Sequence, residues 1–226
     1  MYNVKIIGRC ITDMKNIRKN LLLYAITDRT WLNGRSLVSQ VEEVLKNGAT
    51  FLQLREKNIS YNELVKEAVK IKEIAARYNV PFVINDNIYA AQEADADGVH
   101  IGQDDASYQR AREVLGDDKI IGMTAHNLKE ALAAQEAGAD YIGTGAVFPT
   151  STKNNTVPLA LDTLKEITAN IKIPVVAIGG INHNNILSLK DSGIDGAAVI
   201  SAIFAKENPG LAAAEMLCLC KEVVNG

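Results

Sequence analysis

An alternation in the chain narrows its fold more than any other feature. Eight short β-rich runs recur: LLLYAIT (21–27), FLQLR (51–55), PFVIN (81–85), GVHIG (98–102), IIGMT (120–124), YIGTGAV (141–147), PVVAIGG (174–180) and GAAVIS (196–201). Segments with helical spacing lie between them. In LVSQVEEVLKNG, Leu37, Val41, Val44 and Leu45 share one face and Gly48 supplies a stop, while NLKEALAAQEAG opens on an Asn cap and ends at Gly138. Strands that are apolar at nearly every position are those covered on both faces, and right-handed crossovers through helices make their sheet parallel. Eight such units predict a single α/β domain, a closed (β/α)8 TIM barrel over residues 21–226, with residues 1–20 as an N-terminal extension packed near the barrel's start. An open doubly wound sheet is the alternative, but its glycine fingerprint after the first strand is missing from ITDRTW.

At 226 residues and 47% hydrophobic content the chain can bury one sizeable core, and no linker or low-complexity tract marks a second domain. A net charge of -3 and a pI near 5.7 give no basic stripe for nucleic acid or for an acidic membrane surface, so the expected partners are small molecules. No apolar run approaches the roughly 20 residues needed to span a bilayer. Lys5, Arg9, Asp13, Lys15, Arg18 and Lys19 interrupt the first residues, which leaves no signal-peptide core. Cys10, Cys218 and Cys220 are an odd number near the termini, which fits a reducing compartment, and a cytoplasmic location is expected. The sequence leaves a homo-oligomer open.

In such a barrel the chemistry gathers where the strands end, because the βα loops converge over the mouth. The second run continues into QLREK, which sets Gln53 and Arg55 on one side of the pleat with Lys57 just beyond. Two cations and an amide would face one ligand, unless Arg55 and Glu56 only pair with neighbours. The third run ends in Asn85 and Asp86, and the fourth leads to Asp104 and Asp105. Carboxylates at adjacent strand ends, without a His and Cys cluster, suit Mg²⁺, although either pair alone reads equally as a turn or helix cap.

The sixth run leads into AVFPTSTKNNTVP, a polar loop between Pro149 and Pro158. Thr150, Ser151, Thr152 and Lys153 place hydroxyls and an ammonium within one turn, which suits phosphoryl oxygens or, as the plain alternative, solvent. Gly179 and Gly180 after the seventh run would let backbone N–H groups approach an anion, and VISAI follows the eighth. Loops seven and eight are the usual phosphate site of these barrels. Two anion sites are therefore implied.

The motifs LYAITDR, QLREK, IND, ADGVHIGQDD, YIGTGAVFPTSTK, AIGGI and VISAI, in this order, resemble the thiamine-phosphate synthase family from about residue 21 onward. The resemblance implies an Mg²⁺-dependent transferase of thiamine biosynthesis, joining an aminopyrimidine methyl diphosphate to a thiazole phosphate and releasing pyrophosphate. By the same resemblance Gln53, Arg55, Lys57 and Asn85 would bind the pyrimidine diphosphate, and Asp86 and Asp105 would hold Mg²⁺. Thr124 and Lys153 would touch the diphosphate, Thr150 and Thr152 the thiazole phosphate side, and Gly180, Ile200 and Ser201 would cup the thiazole's phosphate. Lys57, Lys153 and Thr124 would act in the chemistry. Position 124 holds Thr where the family commonly has serine, Ala146 stands where proline is frequent, and Asn87 where a charge is frequent.

A bond from a benzylic-type carbon to a diphosphate oxygen can break dissociatively, so the departing anion needs stabilising and no side-chain nucleophile is required. This agrees with the lack of a Ser/His/Asp or Cys/His arrangement. His100 reads as a structural hydrogen bonder, His126 as an edge residue and His183 as an exposed cap opening a helix. The rival readings are a thiazole tautomerase-like relative and a non-catalytic phosphate-ligand barrel. The acid after HIGQ and the Thr150, Thr152 and Lys153 run speak against the first, and the intact Asp86, Asp105, Lys57 and Lys153 against the second.

Overall fold

In a computed structural model, which describes residues 17–103, 107–150 and 158–226, eight parallel strands close into one barrel in sequence order. They are β1 (Leu23–Ile26), β2 (Phe51–Leu54), β3 (Phe82–Asn85), β4 (Gly98–Ile101), β5 (Ile120–Ala125), β6 (Tyr141–Thr144), β7 (Val175–Ile178) and β8 (Gly196–Val199). The closing pair is β1 with β8, in register from Leu23 opposite Ala197 to Ala25 opposite Val199. This is the barrel expected from the alternation. The open sheet is excluded, because β1 has a hydrogen-bonded neighbour on each side.

The helices on the outside are α1 (Leu37–Lys46), α2 (Tyr61–Arg77), α3 (Ile88–Glu93), α4 (Tyr108–Leu115), α5 (Leu128–Ala137), α6 (Leu161–Asn170), α7 (Ser201–Phe204) and α8 (Pro209–Asn225). Their starts follow from local chemistry. Ser36 Oγ accepts from Ser39 N ahead of α1, and Ser60 with Glu63 forms a reciprocal capping box at α2. Asn127 caps α5, and Gly138 ends it in the left-handed region at φ 99. The α1 face read from spacing is the buried one: Leu37, Val41, Val44 and Leu45 all belong to the core. Cys220 of α8 is buried, which pushes its thiol up to about 12, as befits packing material rather than a reactive group.

The seventh crossover departs from the repeat. Only a single 3-10 stretch, Ile186–Leu189, follows β7. Asparagine side chains divert the backbone there: Asn185 Oδ1 accepts from Asn182 N at 2.8 Å, and Asn182 Oδ1 accepts from Asn184 N at 2.9 Å. Such bonds offer the chain an alternative to helix. His183 accordingly opens no helix and is not an exposed cap. It is partly buried, with Nε2 3.3 Å from Glu215 Oε2.

Alternate side chains of each strand point into the barrel and form a core separate from the helix-facing one. Tyr24, Phe51, Val83, Ile120, Tyr141, Val176 and Ala198 fill the interior, and Ile17 and Leu21 of a 3-10 helix, Ile17–Leu21, join them from the strand N-terminal end. Arg18 of that helix pairs with Asp195 and donates to Lys172 O at 2.9 Å. Thus the described part of the N-terminal region seals the barrel's base, and residues 1–16 lie outside the described residues. Three aromatic rings meet edge to face, with centroids 4.6 Å apart for Tyr24 and Phe51, 5.9 Å for Tyr24 and Tyr141 and 5.6 Å for Phe51 and Tyr141. Each such pair adds about 0.5–1.5 kcal/mol beyond burial.

So large a ring fits because its neighbour across the ladder is Gly122, opposite Tyr141. A Cβ on Gly122 would fall 2.1 Å from Tyr141 Cζ. Overpacking of this kind costs about 1–3 kcal/mol. Gly122→Ala should therefore lower the thermal midpoint by about 2–4 °C for each kcal/mol lost, measured by circular dichroism. An unchanged midpoint would show that the ring has room to move.

Candidate active site

The C-terminal ends of the strands open onto one cavity of about 360 Å³. Gln53, Arg55, Lys57, Asn85, Asp86, Thr124, Thr150, Gly180, Ile200 and Ser201 all line it, so every described residue singled out for the site meets there. Asp104, Asp105, Ser151, Thr152 and Lys153 lie outside the described residues. His126 stands at the rim, exposed, with Nδ1 2.9 Å from Glu130 Oε2.

The β2 end shows how the local sequence aims its charges. Arg55 N donates to Thr27 Oγ1 at 3.0 Å, and Arg55 Nη1 lies 3.7 Å from Asp28 Oδ2, so the loop after β1 braces the guanidinium. Glu56 turns the other way and accepts from Arg29 Nε at 2.7 Å. Burial pushes its carboxyl up despite that partner, and its Oε1 has no hydrogen-bond partner. The neighbour pairing that could have explained all of these charges therefore takes up one oxygen of Glu56, and Arg55 in part. Lys57 extends beyond them, exposed at the cavity.

Asp86 follows β3 at φ 62, a left-handed conformation that Asp tolerates better than most residues. Its N–H donates to His100 O at 2.8 Å, and Asn85 Nδ2 donates to its Oδ2. The helix-cap role belongs to the next residue, since Asn87 Oδ1 accepts from Ala90 N at 2.9 Å. Asp86 itself lines the cavity.

Across the mouth, Gly179 and Gly180 have φ of 98 and 65. A Cβ on Gly180 would fall 2.4 Å from Pro149 O and 2.7 Å from Phe148 O. The glycine pair therefore does more than expose backbone: it seats the polar loop that leaves β6. Val147 N donates to Ile178 O at 3.0 Å and Phe148 N to Gly179 O at 3.1 Å. Asn182 and Asn185 both donate side-chain N–H to Gly180 O, at 3.1 and 2.9 Å, and fix the peptide that follows.

Sequence reasoning missed several of these supports. Asp28, Asn182 and Asn185 act through other residues, and nothing in their spacing announced it. Gln103, whose side chain donates to Thr124 O, was passed over beside the acids that follow it. Tyr24 and Tyr141 read only as strand formers, yet they continue the polar lining inward: Gln53 Nε2 donates to Tyr24 Oη at 2.6 Å, and the two phenol oxygens are 2.8 Å apart. His100 is the structural hydrogen bonder expected, with Nδ1 3.0 Å from Tyr141 Oη and Nε2 3.1 Å from Thr124 Oγ1.

The chain matches a family model described as thiamine monophosphate synthase over residues 23–203. It is 52% identical over 190 residues to a thiamine-phosphate synthase of Clostridium novyi (strain NT), covering 84% of this chain and 93% of that one. A thiamine-phosphate synthase of Clostridium tetani (strain Massachusetts / E88) is 46% identical over 203 residues, 90% of this chain and 97% of the relative. Among solved structures, a thiamine phosphate pyrophosphorylase from Pyrococcus furiosus superposes with a TM-score of 0.86 at 38% identity, covering 92% of this chain and 100% of the other.

Gly180→Ala should loosen the seat of the β6 loop while leaving the barrel folded. Amide hydrogen exchange at Val147 and Phe148 is expected to rise by at least about tenfold, the factor for a local opening made easier by about 1.4 kcal/mol. Unchanged exchange at both would mean that the glycine is not what holds the loop.

Proposed function

We infer that this chain, which belongs to the thiamine monophosphate synthase family, condenses 4-amino-2-methyl-5-(diphosphooxymethyl)pyrimidine with 4-methyl-5-(2-phosphooxyethyl)thiazole to thiamine phosphate and pyrophosphate. The observation that carries the reading is the single cavity. Its β2, β3 and β5 side presents Gln53, Arg55, Lys57, Asn85, Asp86 and Thr124, and its β7 and β8 side presents Gly180, Ile200 and Ser201. A diphosphate needs concentrated positive charge, and a monophosphate needs backbone N–H groups and hydroxyls. One half suits each. The tautomerase-like and non-catalytic alternatives are not favoured, since the relatives matched at highest identity above are all named as synthases.

In the proposed reaction the bond between the pyrimidine's methylene carbon and the diphosphate oxygen breaks, and its electron pair leaves with the diphosphate. The thiazole nitrogen donates its lone pair to that carbon. Arg55, Lys57 and Lys153 would meet the charge that grows on the leaving group, with the Thr124 hydroxyl as a further donor, while Gln53 and Asn85 would hold the pyrimidine diphosphate. Preorganised groups of this kind stabilise the transition state more than the ground state. Thr150 and Thr152 would lie beside the thiazole phosphate, and Gly180, Ile200 and Ser201 would cup it, which aims the thiazole nitrogen. No proton has to move to a side chain.

The residues fit Mg²⁺. Asp86 offers a carboxylate at the cavity, its side chain held by Asn85 Nδ2 and its backbone N–H by the His100 carbonyl. Asp105 would be its partner. Mg²⁺ takes a few carboxylates, waters and phosphate oxygens rather than a closed protein cage. When bound, Mg²⁺ supplies neutralising charge to the diphosphate. No helix among the described residues is long and apolar enough to cross a membrane.

Pyrophosphate release that requires both substrates tests the reading, and release from the pyrimidine diphosphate alone would contradict it. Asp86→Ala, or excess chelator with the parent chain, should remove most of that activity, and full activity under chelation would exclude the metal. Ser201→Asp would set a carboxylate against a phosphate. It should raise KM for the thiazole phosphate by about tenfold or more, since unit charges about 4 Å apart at an effective dielectric near 20 oppose each other by up to about 4 kcal/mol. KM for the pyrimidine diphosphate should stay within about twofold, under roughly 0.5 kcal/mol. Equal losses for both would misplace the cup.

A further inference from the structure

Four hydrogen bonds cross the barrel interior without a break. They join Gln53 of β2 to Tyr24 of β1, Tyr24 to Tyr141 of β6, Tyr141 to His100 of β4, and His100 to Thr124 of β5. Both ends line the cavity, as do Tyr24 and His100 between them, while the phenols are buried: Tyr24 is 2% exposed and Tyr141 fully buried. Burial pushes both phenols well up, so each keeps its one proton. With both phenol protons in place, the direction of the chain is set once one end is set.

Gln53 sets it. Its amide N–H donates to Tyr24 Oη, so the Tyr24 proton is available only to Tyr141. Tyr141 Oη, accepting from Tyr24, turns its own proton to the remaining neighbour, Nδ1 of His100. An Nδ1 that accepts leaves the ring proton on Nε2, and that N–H points at Thr124 Oγ1. We propose that Tyr24 and Tyr141 are positioning residues. Through them Gln53 fixes the Nε2–H tautomer of His100, which occupies the Thr124 oxygen as an acceptor and leaves the Thr124 hydroxyl proton to donate into the cavity. The consequence for catalysis rests on the reading that Thr124 faces the diphosphate; the tautomer does not.

This order explains the geometry around the chain. Gly122 and Gly143 flank it, and a Cβ on Gly143 would come 3.2 Å from His100 Cε1. The imidazole lies nearly parallel to the Tyr141 ring, with centroids 5.5 Å apart at 30°.

The test begins with the ligand-free protein carrying isotope-labelled histidine, read by two-bond proton–nitrogen correlation. The chain has three histidines, and the His100 signals are those lost in His100→Gln. The expected pattern is a proton on Nε2 alone. A proton on Nδ1, or on both nitrogens, would reverse or break the chain and overturn the proposal. Tyr141→Phe keeps the ring but removes the link. It should leave His100 a mixture of tautomers and lower kcat for pyrophosphate release by about tenfold, with both KM values within about twofold. If kcat stays within about twofold while the unfolding midpoint falls, the residue is only structural and the proposal fails. Should Tyr141→Phe not fold, the spectrum of the unsubstituted protein decides. Because that spectrum needs no substrate, a chain that released no pyrophosphate would defeat the functional reading and leave the tautomer standing or falling by itself.

Discussion

Closure of the β1–β8 ladder is the constraint on which everything else depends. A closed eight-strand barrel has an interior that only side chains can fill, and here it is filled unequally. Toward the base the filling is apolar and aromatic, with Ile17 and Leu21 sealing it and Phe51 wedged between two tyrosines. Toward the mouth the same inward positions become Gln53, Asn85, His100 and Thr124. Tyr24 and Tyr141 belong to both worlds, since their rings pack the apolar half while their hydroxyls join the polar one. The site is thus the upper layer of the core.

From that arrangement follows a division of labour. Strand ends β2, β3 and β5 carry cations, amides, a carboxylate and a hydroxyl, whereas β7 and β8 contribute little besides backbone, Ile200 and Ser201. The two halves are linked by contact between loops rather than by charge: Gly179 and Gly180 are glycines because the Ala146 to Pro149 backbone lies where their Cβ atoms would be. A loop seated in this way can present Thr150 to the cavity, and Lys153 by proposal, without an apolar core of its own.

Much of this was legible in the sequence because barrel strands have to be apolar on both faces and their ends have to be chemical. All eight runs became strands, and α1 buried the face that its spacing marked. Gln53 and Asn85 reached the cavity because period two in a strand leaves no choice of side, and Arg55, Lys57 and Asp86 line it from the loops that follow. Less legible was whatever acts through a second residue. Asp28 bracing Arg55 depends on how loops after β1 and β2 approach, which no periodicity encodes. Asn182 and Asn185 replaced a helix by side-chain turns, so the seventh unit of the pattern came out shorter than its neighbours imply. Tyr24 and Tyr141, 117 positions apart, gave no sign that their hydroxyls meet.

The most direct measurement is a crystal structure of the chain grown with thiamine phosphate, pyrophosphate and Mg²⁺. If the cavity holds both substrates as proposed, the pyrimidine should lie against Gln53, pyrophosphate against Arg55, Lys57 and Lys153 with the metal on Asp86, and the monophosphate against Gly180 and Ser201. Electron density for the product outside the mouth, or its monophosphate on the β2 cations in place of the β7 and β8 cup, would contradict that division of the site.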